Sequence, residues 1–94
     1  MNQYEVLYIV DNSLSEEAKD AVVAKFEGVI AEQGGTVEKT DRWGTKKLAY
    51  PIDYKTDGYY VLMTFAGSAE LPKELERQMG ITEEIMRKMV IRKA

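Results

Sequence analysis

Apolar residues in this chain switch four times between alternation and helical spacing, and each switch falls at Gly, Asn, Asp or Ser. Tyr4 to Val10 alternates, with Tyr4, Val6, Tyr8 and Val10 on one face and Leu7 and Ile9 on the other. Asp11-Asn12-Ser13 breaks this strand. Ser13 or Ser15 can cap the helix that follows, and Ser13 with Glu16 has capping-box spacing. Ala18, Val22, Phe26, Val29 and Ile30 then recur along one helical stripe, which Gly34-Gly35 stops.

Thr36 onward is extended again. Val37 and Trp43 share one parity and Leu48, Tyr50 and Ile52 the other, which predicts a one-residue bulge at Gly44-Thr45. Lys55-Thr56-Asp57-Gly58 reads as a hairpin turn, and Tyr59 to Ala66 as the returning strand. Ser68 is placed to cap a second helix, with Pro72 in its first turn, Leu71, Leu75 and Met79 on its buried stripe, and Gly80 at its end. Ile85 to Arg92 closes as a strand.

The order is β-α-β-β-α-β, the split βαβ or ferredoxin-like α+β arrangement, as a single domain over residues 1–94. Right-handed crossovers put both helices on one face of a four-stranded antiparallel sheet in order 4-1-3-2. The other face is then bare and, if the helices cover the other parity, carries Leu7, Ile9, Tyr60 and Leu62, an apolar patch of the kind that meets a partner.

Catalysis has little to work with. The chain has no Cys and no His, which removes thiolate chemistry, the usual general base and the commonest metal ligand. A glycine-rich phosphate loop is missing, and Gly34-Gly35 lacks its spacing. An acylphosphatase-like domain shares this topology, but the loop Asp11-Asn12-Ser13-Leu14-Ser15 has no cation for an acyl phosphate. Glu83-Glu84 reads as a solvated turn, since neighbours on a strand point to opposite faces. We therefore expect no enzyme, no cofactor, no metal and no small-molecule substrate. Apolar runs are too short to cross a bilayer and no leader is evident, so a cytoplasmic protein without a membrane partner is expected.

Charge is distributed unevenly around the net value of −3. Residues 1–35 carry seven acids against Lys19 and Lys25, whereas Arg87 to Ala94 contains Arg87, Lys88, Arg92 and Lys93 with no acid. Arg42, Lys46 and Lys47 fall on the second strand and the C-terminal bases on the fourth, the two edges of the sheet. Edge cations protect against aggregation and also attract phosphate, and the residues alone leave both readings open. Tyr4, beginning the strand beside the fourth, adds either a stacking ring or core packing. A homo-oligomeric ligand-sensing or regulatory domain, pairing through the bare face, is the alternative to a nucleic-acid-binding one.

The segment Gly44-Thr45-Lys46-Lys47-Leu48-Ala49-Tyr50-Pro51-Ile52 resembles the signature of the family of the sixth protein of the bacterial small ribosomal subunit. Met1, Tyr4 and Glu5 at the start match that family too, as do Gly58-Tyr59 and, in the last strand, Arg87, Met89 and Val90. The resemblance implies a structural 30S component that binds the central domain of 16S rRNA together with ribosomal protein S-eighteen. Carried over residue by residue, it implies rRNA contacts from Asn2, Gln3, Tyr4, Arg87 and Arg92. It implies a protein partner along Arg42, Trp43, Lys46, Lys47, Leu48 and Tyr50. Many members have arginine at position two or three, where this chain has Asn2 and Gln3. The chain stops at Ala94 without the acidic tail of some members, so modification through such a tail is not expected.

Overall fold

The computed structural model describes residues 2–52 and 55–93, with Ile52 described by its backbone only. Met1 of the opening motif and the side-chain parity of Ile52 thus lie outside the described residues. The elements are β1 (Asn2–Asp11), α1 (Glu16–Glu32), β2 (Thr36–Ile52), β3 (Lys55–Gly67), α2 (Leu71–Gly80) and β4 (Ile85–Arg92). The sheet order is β2-β3-β1-β4, antiparallel throughout, which is the expected 4-1-3-2 arrangement read from the other edge.

One apolar cluster joins both helices to a single face of the sheet. Val6, Tyr8 and Val10 of β1 and Val61, Met63 and Phe65 of β3 meet Phe26 and Ile30 of α1 and Leu71, Leu75 and Met79 of α2. Each fully buried side chain of this size contributes about 1.5–3 kcal/mol relative to exposure. Tyr8 brings a hydroxyl into this layer that has no hydrogen-bond partner among the described residues, and burial pushes its pKa up.

The helix ends follow local rules, with one correction, at the start of α2. Ser15, not Ser13, caps α1, accepting a hydrogen bond from Ala18 N at 3.1 Å. Ser13 is drawn instead to Asp11, which accepts from its backbone N at 3.0 Å and its Oγ at 2.8 Å. At the other end Gly34 sits at φ 79°, with Gly34 N bonded to Ala31 O and Gly35 N to Ile30 O, a Schellman closure. Ser68 does not cap α2 through its side chain; its carbonyl accepts from Leu71 N at 3.2 Å.

Strand β2 departs most from expectation. The predicted turn at Lys55–Gly58 is strand instead, with Asp57 opposite Lys47 and Gly58 opposite Lys46. Asp-Gly is a turn signal only where the backbone needs positive φ, and Gly58 instead serves a close approach. A Cβ there would lie 2.3 Å from Ile9 Cγ2 and 3.2 Å from Leu48 Cδ2. The bulge falls one residue earlier than predicted: Arg42 pairs with Val61 and Gly44 with Tyr60, leaving Trp43 as the extra residue beside Gly44 at φ 85°. A second register shift, between Val37 and Lys39, was not anticipated. This shift alone puts Val37 against the core and Trp43 on the opposite face, although they share parity.

Asp11 fastens the root of the β2–β3 arm. Its carboxylate pairs closely with Lys55 and accepts the two Ser13 bonds, and these contacts lower its pKa from 3.8 to about 2. The charged form is favoured in the folded state, so the stabilisation is complete above about pH 4 and disappears as pH falls through about 2. In urea melts across this range, Asp11→Asn should flatten the acid-side loss of stability. A variant with the parental pH dependence would show that Asp11 contributes nothing to it.

Candidate functional site

Side chains on the bare face form a continuous surface. Leu7 and Ile9 of β1, Tyr60 of β3, Leu48 and Tyr50 of β2 and Met89 of β4 line a groove across it. Trp43 stacks on Tyr60 with centroids 6.4 Å apart and planes 9° from parallel, and Lys46 Nζ lies 4.9 Å from the indole centroid. The large apolar residues left exposed here are Trp43, Tyr50, Met89 and Ile91, the last two half-exposed. Met89 and Ile91 were missed in the sequence, although they share parity with Arg87 on a strand read chiefly for its charge.

The residues implied as a protein contact divide between the faces. Trp43, Lys46, Leu48 and Tyr50 belong to the bare face, with Leu48 itself buried against it. Arg42 points the other way and pairs closely with Asp20 of α1, which raises its pKa and ties β2 to the helix layer. Thr40 does the same, its hydroxyl donating to Glu27 at 2.7 Å. Lys47, opposite Asp57, is exposed on the helix side of the arm.

The residues implied as RNA contacts divide as well. Tyr4 and Arg92 are register partners, Arg92 Nη2 donates to Asn2 Oδ1 at 3.0 Å, and Asn2 Nδ2 donates to the Tyr4 hydroxyl at 3.2 Å. The ring of Tyr4 is buried and stacks on Phe65 at 5.5 Å, so it is core, and only its hydroxyl joins this surface cluster. Gln3 turns to the other face, donating to Glu38 at 3.2 Å. Arg87 lies opposite Ile9 on the bare face, beside Tyr50, whose hydroxyl accepts from its Nη1. Five residues of strand separate Arg87 from Arg92, about 17 Å, and their odd spacing puts them on opposite faces.

Electrostatics separates the cations into two groups. Lys19, Arg42, Lys55, Lys73 and Arg77 each pair with a carboxylate. Among the described residues Lys25, Lys39, Lys46, Lys47, Arg87, Lys88, Arg92 and Lys93 pair with none. Six of these eight lie on the arm (Lys46 and Lys47) or along and just beyond β4, while Glu16, Glu17 and Asp20 are exposed on α1 behind the sheet. A polyanion would therefore be drawn to the strand side and repelled from the helix side. No group of three acidic metal ligands occurs among the described residues, and no helix in them is long and apolar enough to cross a membrane.

Comparison with known proteins bears on this arrangement. The family model described as Ribosomal protein S6 matches residues 3–92. The small ribosomal subunit protein bS6 of Clostridium novyi (strain NT) is 52% identical over 91 residues, covering 97% of this chain and 96% of the relative. That of Alkaliphilus metalliredigens (strain QYMF) is 48% identical over 92 residues, covering 98% and 97%. In structure, the chain is similar to the crystal structure of 30S ribosomal protein S6 from Thermotoga maritima, with TM-score 0.93 and 29% identity, over 98% of this chain and 87% of that one.

Proposed function

The chain belongs to the ribosomal protein S6 family of the small ribosomal subunit, and from that premise we propose that it binds the central domain of 16S rRNA jointly with ribosomal protein S-eighteen. It acts as a structural part of the cytoplasmic 30S particle. The family is a structural one, not a family of enzymes. The observation that carries the reading is the meeting of an apolar face with cations on the strands that border it. An apolar face suited to a protein partner runs into the end of β2 and into β4, where Lys46, Lys47, Arg87, Lys88 and Arg92 have no carboxylate partner among the described residues.

Charge explains why binding is joint. A protein of net charge −3 gains little from phosphate neutralisation alone, and a basic partner seated on the bare face supplies the missing charge. RNA is then held through backbone and shape, without a base code of its own. Pull-down with a central-domain fragment, with and without the partner, tests this: retention only when both proteins are present is the expected result. Retention without the partner would remove the joint requirement. Replacing Arg87 and Arg92 together by alanine should weaken joint binding and flatten its dependence on log salt by about two phosphates. An unchanged salt slope would remove both from the RNA contact.

A further inference from the structure

The arm formed by the ends of β2 and β3 has an unusual reach. The last β1–β3 pair is Asp11 with Gly58, and Gly58 lies opposite Lys46, so β2 beyond Lys46 has no part of β1 behind it. Even so, the hydroxyl of Tyr50 accepts a hydrogen bond from Arg87 on β4, with β3 and β1 intervening. Arg87 is level with Ile9, Tyr60 and Gly44, so on a flat sheet Tyr50, six residues beyond Gly44, would lie about 14 Å across and about 20 Å along from it, beyond the joint reach of the two side chains. The arm must therefore curl over the bare face. Gly58 permits the bend, because Ile9 and Leu48 close over the space a side chain would fill. At the crossing, the Arg87 guanidinium carbon lies 5.4 Å from the centroid of the Tyr50 ring.

We propose that Tyr50 is a positioning residue for Arg87: a clasp between arm and β4 holds the guanidinium in the pose that meets RNA phosphate, and so couples the partner surface to the RNA surface. This rests on the assembly reading above. A free arginine samples many rotamers, whereas one held by a hydroxyl and a ring face has lost that freedom before binding. A partner seated against the arm fixes Tyr50, Tyr50 fixes Arg87, and by linkage RNA on Arg87 favours the partner equally. The clasp is exposed to solvent, where one cation–π contact and one charged hydrogen bond together are worth about fivefold in a binding constant.

The test uses the full chain, the partner protein and a central-domain rRNA fragment, titrated over a range of salt. Tyr50→Ala and Arg87→Ala should each weaken RNA binding about fivefold, and the double variant should lose no more than either alone. Tyr50→Ala should also flatten the salt slope by about one phosphate although it removes no charge, an effect that lost packing alone would not produce. Tyr50→Phe, which keeps the ring, should fall between the parent and Tyr50→Ala. Arg92→Ala, on the opposite face, should add fully to Tyr50→Ala. Additive losses for Tyr50 and Arg87, or a parental salt slope in Tyr50→Ala, would overturn the clasp while leaving the assembly reading intact. If the parent with its partner does not bind the fragment, the assembly reading fails and takes the coupling with it.

Discussion

Trp43→Ala should weaken association with the partner protein by about 2–4 kcal/mol, the range of a central aromatic anchor. The indole is 42% exposed, so its removal opens no cavity in the core, yet it stacks on Tyr60 and carries Lys46 above it. The indole is a rigid, exposed aromatic surface of the kind that a partner seated on the bare face would bury. Losing the Tyr60 stack should cost the free protein only about 1 kcal/mol, so its thermal melt should barely move. Calorimetric titration with the partner measures the first effect and circular dichroism the second. Lys47→Ala serves as the control on the helix side of the arm and should change affinity by less than about 1 kcal/mol. Parental affinity in Trp43→Ala would put the partner elsewhere than on this face.

The second large effect lies beneath the other end of the sheet. Phe65 is fully buried, stacks on Tyr4 and packs in the cluster that joins both helices. Phe65→Ala removes most of a phenyl ring from a close-packed layer and should cost about 3–5 kcal/mol. That is a large share of the roughly 5–15 kcal/mol that holds a domain of this kind together. With each kcal/mol worth about 4–8 °C in a chain of this length, the melting temperature should fall by at least about 12 °C. Tyr4 loses its support in the same step, and with it the hydroxyl that anchors Asn2 and, through Asn2, Arg92. Joint RNA binding by whatever fraction remains folded should weaken too. A fall of only a few degrees would mean that the layer repacks around the gap.

These two residues differ in how far the sequence announced them. Phe65 stands in a clean alternation with Val61 and Met63, and the faces of β1 and β3 could be assigned from such alternation alone. The helical stripes of α1 and α2 and the glycine closure of α1 were equally plain, because each rests on contacts within one turn of chain. Trp43 was legible only as an aromatic residue in a long strand. Its face depends on the register shift between Val37 and Lys39, since a single shift sends every later side chain to the other side. Arg42, its neighbour, goes to Asp20 on α1, a pairing that depends on how the helix lies across the sheet.

The order of elements, the side of the sheet taken by the helices, and the lack of thiol and imidazole groups followed from residue types and spacing. They did so because periodicity, chirality and functional groups are properties of short stretches of chain. Which cations stay free of carboxylates, where Tyr4 buries its ring, and the meeting of Tyr50 with Arg87 across two intervening strands were decided only by the folded molecule. Each depends on atoms brought together over long separations, where one bulge or one bend in the arm outweighs any local preference.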